Sequence, residues 1–475
     1  MKKFLIIVSI FFLAISGNAQ PASLYYMTNL RQSIYTNPAR MQDCGFSFSF
    51  PALNINTGVF LSTLRYANLF STDNNGRFFV DFDKLAASGA EYNYLYQTNQ
   101  LSLFSFGVRL GYPLYIHYDM SVKTNLYVNY PQGLLDFLAY GIDANHPSVN
   151  ISNLGVNALV YTQHAITASY KINSMLTVGA SIKKLTGIGT LNSKVFNMSL
   201  DVDTTRVDNY PITATTEYDV YYAGPAQITY SDSFNITQPD MSAASIKSMI
   251  LSKNGGWAFD LGFVFTPIKY VEISGSVVDL GYIKWRTNSA HLFHDKTTFT
   301  FDGVDVINDT TAFDKLSDTL KYLIKPNYEA SPFSSGINTK LYLGVALKPV
   351  DYLSLGFAFQ SVKLQPKNWL NIYHLSAAFN FAYGWSLTGT YSIYPHSYNN
   401  FGMGLALKLG FMQLYFVTDN LSIPNFGISY FTNRSTPYDQ NSATLWLKKT
   451  QLANFHFGLN FNFGCKDRRD IGLLD

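Results

Sequence analysis

Residues 451–465 read QLANFHFGLNFNFGC. Phe455, Phe457, Leu459, Phe461 and Phe463 are bulky and apolar, while Asn454, His456, Gly458, Asn460 and Asn462 between them are small or polar. A period of two marks a strand, and about ten residues is the length a tilted strand needs to cross a bilayer. The stretch reads as the closing strand of an outer-membrane β-barrel. Its aromatics face lipid, and its polar groups, His456 among them, face lumenal water.

The rest of the chain agrees with that strand. Of 475 residues, 47% are hydrophobic, 16% aromatic and only 14% charged, against about 25% charge in a typical soluble protein. The excess of 34 Tyr and 37 Phe suits lipid-facing strands and interfacial girdles. Length alone would allow about three soluble domains or one large barrel. A net charge of +3 without a Lys/Arg patch gives no reason to expect nucleic acid.

Lys2 and Lys3, an apolar run over 4–15 and small residues at Gly17-Asn18-Ala19 read as a signal peptide over 1–19, with Gln20 as the first mature residue. Beyond it no run approaches 18 apolar residues. A chain that spans a bilayer without such a run must pair its backbone in a closed barrel. The expected localisation is the cell outer membrane, with its lipid as the first partner.

From residue 46 the chain repeats strand, short turn, strand, long polar excursion. Phe46, Phe48 and Phe50 alternate with Ser47 and Ser49 in strand one. Six hairpins follow: 101–110 with 114–129, 154–171 with 176–189, 256–266 with 270–286, 338–348 with 352–362, 370–382 with 385–394, and 401–409 with 411–419. Their turns carry Gly, Pro, Asn or Asp, the residues that reverse a chain cheaply. With the first and last strands the count is about fourteen. If strand one runs outward, every short turn falls at the periplasmic rim. The long connectors, 61–99, 130–153, 190–255, 287–337 and 420–450, then all fall outside, as in bacterial barrels. Short helices are expected near 80–85, at 130–141, where Pro131 and Gly141 suit a start and a stop, and at 241–252. The expectation is therefore an all-β, transmembrane antiparallel barrel over 45–465, preceded by an N-terminal segment over 20–44 and followed by a periplasmic tail over 466–475.

Cys44 and Cys465 are the only cysteines. Both fall at the periplasmic rim, on the first and last strands, which pair in a closed barrel. A disulfide there would staple the seam in a compartment that permits disulfides, with roughly 5 kcal/mol expected from the loop-entropy model. The alternative is two free thiols. Asp260 shares the inward parity of Ala258 and Gly262. Asp279 has the opposite parity to Glu272, Ser274 and Ser276, so a β-bulge near Val277-Val278 would bring it inward, kink the strand and open a lateral exit. Alternatively Asp279 lies above the lipid or pairs with a lumenal Lys or Arg. His291, His294 and Asp295 have loop spacing unsuited to a metal site. No nucleophile–base set or Gly-x-Ser-x-Gly turn suggests an enzyme, and no cofactor is expected.

The run 33–39, Cys44 opening strand one, 105–109, Tyr130-Pro131 with its short helix, and 279–285 (DLGYIKW) together resemble a family of uncharacterised bacterial outer-membrane barrels. More remotely, Asn37-Pro38-Ala39 before strand one resembles the long-chain fatty-acid transporter (FadL) superfamily. That likeness implies an N-terminal hatch, here residues 20–44, inside a fourteen-stranded barrel that passes hydrophobic solutes sideways through a strand kink. The same Asn-Pro-Ala, with Tyr26-Met27 before it, is also similar to small barrels of type IX secretion. Two functions are thus expected in competition. One is passive uptake of a small hydrophobic or amphipathic compound. The other is a structural or secretion-associated barrel binding a surface or secretion protein through its outer loops.

Overall fold

Period-two alternation makes each spanning segment a strand that buries one face and offers the other to lipid. A computed structural model describes residues 22–49, 54–63, 70–72, 78–142, 145–205, 211–225, 228–230, 234–236, 253–301, 325–364, 368–381, 384–419 and 451–465. Fourteen strands form the wall. They are β1 (in two pieces, Cys44–Ser49 and Asn54–Leu61), β2 (Tyr92–Leu110), β3 (Leu114–Pro131), β4 (Gly155–Lys171), β5 (Leu176–Val202), β6 (Gly255–Ile268), β7 (Val271–Trp285), β8 (Lys340–Val350), β9 (Leu353–Lys363), β10 (Trp369–Asn380), β11 (Ser386–Tyr394), β12 (Ser397–Leu409), β13 (Met412–Thr418) and β14 (Leu452–Cys465). Each pairs antiparallel with the next. β14 returns to β1 with Phe463 opposite Phe46 and Phe461 opposite Phe48, which closes the barrel. At the end of that seam Cys44 and Cys465 are opposed and disulfide-bonded.

The two faces differ as lipid and lumen require. On β6, Trp257, Phe259, Leu261 and Phe263 stand exposed while Ala258 and Asp260 between them are buried. β9 and β10 repeat the pattern with Leu355, Phe357, Tyr373 and Leu375 outside and Ala358, Gln360, Ile372 and His374 inside. No described helix is long and apolar enough to cross a membrane; the strands make the crossing.

Three expectations need correction. The connectors are not all loop. β2 begins at Tyr92, β5 runs to Val202, and Ile212–Ala223 pairs with both β5 and Ser289–Phe301. The alternation is legible in part of them, with Phe196, Met198, Leu200 and Val202 opposite Asn197, Ser199 and Asp201, but these stretches lie within the long polar excursions read as connectors, and their Thr, Val, Tyr and Phe favour strands. His291 and His294 consequently lie on a strand, and a spacing of three puts their rings on opposite faces. His456 does not face open water; it is buried against Asn54 and Tyr415. Two of the expected helices occur, α2 (Phe82–Ser88) and α3 (Gln132–Tyr140), after α1 (Ala22–Tyr26) at the N-terminus. The expected helix at 241–252, Phe50, residues 1–19, the connector at 420–450 and the tail lie outside the described residues.

Candidate functional site

The interior is built in three levels. At the short-turn end lies the N-terminal segment, 22–42, made of α1 and a 3-10 turn over Arg31–Tyr35. Leu24, Tyr25, Met27, Leu30, Arg31, Gln32 and Asn37 are all buried inside the wall. Polar contacts hold most of the segment. Ser23 Oγ donates to Asp419 Oδ1 at 2.8 Å and meets Thr390 Oγ1 at 2.8 Å. Arg31 Nη2 donates to Ser105 Oγ (2.8 Å) and Asn460 Oδ1 (3.1 Å), and Tyr35 OH to Asp119 Oδ1 (2.8 Å). At the rim Arg40 Nη1 meets Glu272 Oε1 at 2.5 Å, and Lys348 holds the other Glu272 oxygen at 2.6 Å. Burial alone would favour a neutral Arg40, but Glu272 and then Tyr25 beside it raise its pKa above the ordinary arginine value.

Asn37-Pro38-Ala39 is the tightest part of this seat. The Asn37 side chain donates to the carbonyls of Phe263 (3.1 Å) and Gly275 (3.4 Å), which face each other across β6 and β7. Its own oxygen accepts from Ala39 N at 2.9 Å, and Pro38 O accepts from Ser169 Oγ at 2.6 Å. The wall is cut back to admit it. A Cβ at Gly262 would collide with Asn37 and one at Gly179 with Pro38. Gly344, Gly356 and Gly404 likewise leave room for Tyr25, Tyr26 and Met27. Inward glycines on β5, β6, β8, β9 and β12 were the available sequence signal for an occupied lumen. Gly262→Val should therefore unseat 37–39. Overpacking of this kind costs about 1–3 kcal/mol, so trypsin should cut at buried Arg31 or Arg40 about ten- to a hundredfold faster than in the parent. Equal protection would show that the seat tolerates the side chain.

Above the segment lies a charged layer. Opposite Asp260 on β6, β7 places two residues, Val278 and Asp279, so that Val277 pairs with Leu261 and Leu280 with Phe259. This is a β-bulge, one residue later than the sequence parity suggested. Asp279 takes φ +59°, a region Asp tolerates better than most residues. Its N–H donates to Asp260 Oδ1 at 2.7 Å, and its carbonyl accepts from Thr339 Oγ1 at 3.1 Å. The inward carboxylate is then reached by three ammonium groups: Lys183 at 2.6 Å, Lys123 at 3.2 Å and Lys340 at 3.7 Å. Lys183 also pairs with Asp260 at 2.6 Å. A water-sized polar cavity opens here, lined by Lys123, Lys340, Asp279, Asn125, Asn338 and Tyr161 among others. The kink opens no gap at this point, because Ile337 N still donates to Gly281 O.

The third level is apolar and lies toward the long-connector end. Phe60, Tyr96, Tyr127, Val362, Leu370, Ile372 and Tyr394 form one buried cluster from strands on both sides of the lumen. Phe60 and Tyr394 ring centroids are 5.1 Å apart, and Asn368 donates to Tyr127 OH at 2.9 Å. A second cluster gathers Leu159, Tyr161, Leu185, Ile283 and Trp285, with Trp285 Nε1 donating to Ser335 Oγ at 2.8 Å. The motif over 279–285 thus sends Asp279, Ile283 and Trp285 inward and Leu280 and Tyr282 outward. In the protruding sheet, His291 Nε2 lies 2.8 Å from Asp219 and His294 Nδ1 lies 3.2 Å from Lys325 O.

The model of a family described as "Family of unknown function (DUF5723)" matches residues 38–419. No curated protein matches the sequence. Among solved structures, the Ralstonia pickettii toluene transporter TbuX is similar at 11% identity and TM-score 0.41, covering 92% of this chain and 94% of that one. A Pseudomonas aeruginosa FadL homologue is similar at 10% identity and TM-score 0.40, covering 95% and 97%. The Pseudomonas putida toluene transporter TodX is similar at 10% identity and TM-score 0.37, covering 94% and 93%.

Proposed function

The chain belongs to the DUF5723 family, whose function is unknown, and for it we propose passive uptake of small hydrophobic or amphipathic compounds across the outer membrane, with residues 22–42 acting as a hatch that seals the resting lumen. The observation that carries this reading is how the hatch is held. Much of its attachment is side-chain hydrogen bonding to Ser, Thr, Asn and Asp of the wall. Water replaces such bonds at a net cost of about 1 kcal/mol for the neutral ones and about 1.5–3 kcal/mol for those to Asp419 or Arg31, and none of them belongs to the strand ladder of the wall, so the segment can leave without breaking the barrel's own pairing. The levels above it fit an amphipathic traveller, since an apolar mouth leads to a polar, charged layer. The reading assigns no catalytic residues.

A lock tests it. Ser23 and Thr390 meet side chain to side chain, so Ser23→Cys with Thr390→Cys should pin the hatch under oxidising conditions. Uptake of a radiolabelled alkylphenol into proteoliposomes should stop on oxidation and return with reductant. The parent, carrying only its native disulfide, should respond to neither. Unchanged uptake by the locked protein would refute the hatch. The second reading, a partner-binding barrel, is favoured by one feature: the sheet of Ile212–Ala223 and Ser289–Phe301 that prolongs β5 beyond the barrel. A parent protein that passes no solute, yet is folded, would shift the search to that sheet.

A further inference from the structure

Toward the long-connector end of β5, β6 and β7 the lipid-facing wall changes chemistry. Ile182, Phe259 and Leu280 are exposed, apolar and side by side in register. One step higher the same three strands present Lys184, Trp257 and Tyr282, and one step beyond these Lys284 stands opposite Gly255. Lys253 and Arg286, both exposed, carry positive charge past the strand ends. Residues 182–186, 253–259 and 280–286 include no Asp or Glu, and among the described residues neither Lys184 nor Lys284 has an acid partner. Their ammonium groups lie over rings instead: Lys184 Nζ is 4.7 Å from the Trp257 centroid and Lys284 Nζ 5.6 Å from that of Tyr282. Gly255 separates the two lysines. A Cβ on it would stand 3.7 Å from Lys184 Nζ, so the missing side chain leaves a notch flanked by two cations. With strands about 4.8 Å apart, both long side chains reach one group seated there. Trp and Tyr settle at headgroup depth and Lys heads snorkel to it, which puts the notch level with lipid phosphates.

We infer that this outer face of β5–β7 binds a membrane lipid through a phosphate-monoester headgroup, the chemistry of phosphatidic acid and of phosphorylated glycolipids. A monoester carries about −1.5 to −2 charge near neutral pH, which two ammonium groups match, whereas a diester carries a single charge. The acyl chains continue down the wall over Phe259, Leu261 and Leu280. The site requires that the barrel span a bilayer, but not that any solute pass, so failed uptake leaves it standing.

Native mass spectrometry of the purified mature barrel would count bound dioleoyl lipids that differ only in headgroup. Phosphatidic acid should bind the parent about fivefold or more tighter than phosphatidylglycerol, as one further charge near two lysines predicts, and phosphatidylcholine more weakly still. Lys184→Gln with Lys284→Gln should weaken phosphatidic acid binding about tenfold or more, as lost charge-assisted bonds require. Lys171→Gln with Lys269→Gln removes the same charge at the short-turn end, where both lysines also lie over rings, and should stay within about twofold of the parent. Lys284→Gln alone should lose part of the preference, which keeps the test open if the double variant does not fold. Equal binding of phosphatidic acid and phosphatidylglycerol by the parent overturns the site. So does undiminished binding by the Lys184/Lys284 variants, or an equal loss in the short-turn control.

Discussion

Replacing Asp279 by Ala is expected to destabilise the barrel by about 3–5 kcal/mol, the usual penalty for breaking a buried ion pair from one side. The magnitude follows from what is left behind. Lys183 keeps Asp260, but Lys123 loses both of its hydrogen bonds to a carboxylate and Lys340 its nearest counter-charge. Repulsion among three buried ammonium groups is then offset by one acid. Urea-dependent unfolding in lipid vesicles, followed by tryptophan fluorescence, would measure the loss. Asp279→Asn separates charge from backbone: Asn also tolerates φ near +59°, so it should retain the bulge and lose only the electrostatic share. A loss below about 1 kcal/mol for both variants would mean that the cluster is water-filled and screened.

Deletion of residues 22–40 should expose the lower lumen while leaving the mouth closed. Ser105, buried between Arg31 and Ser49, reports this. In a Ser105→Cys background, modification by a small charged thiol reagent should accelerate about a hundredfold or more when the segment is absent, because protection reflects the free energy of local opening. Conductance in planar bilayers should nevertheless stay low. The aromatic cluster of Phe60, Tyr96, Tyr127 and Tyr394 still spans the outer end. Adding Phe60→Ala and Tyr394→Ala should produce an open pore. A conducting single deletion would show that the cluster does not seal.

Much of this architecture is written locally. Phe455 to Phe463 declares a spanning strand with its lipid face, and the alternation of short turns with long excursions yields the strand number. Local patterning works there because each strand must satisfy lipid on one side, whatever its neighbours do. The interior is less legible, because it depends on which strands face each other across the lumen. Asp279 announced itself by wrong parity, yet nothing nearby in sequence names Lys123, Lys183 or Lys340, which come from three other strands. Inward glycines such as Gly179 and Gly262 mark the seat of the N-terminal segment only once its position is known. The protruding sheet was missed because its alternation, as in Phe196, Met198, Leu200 and Val202, runs on past the length that crosses a bilayer and into the polar excursions. His456 was misjudged for a related reason: polar and inward does not mean wet when Asn54 and Tyr415 fill the space.

The seam between β1 and β14 carries a consequence for assembly. Arg31 and Gln32 bond to Asn460, 429 and 428 positions away, and Cys44 meets Cys465 across a separation of 421. The first folded residues therefore have no complete seat until the final strand arrives. Docking of the N-terminal segment must therefore follow wall closure and falls late in folding, by the entropy of bringing such distant segments together. A chain truncated before β14 would hold an unclosed sheet with an unanchored N-terminus, so completion of the last strand acts as a built-in check on the first.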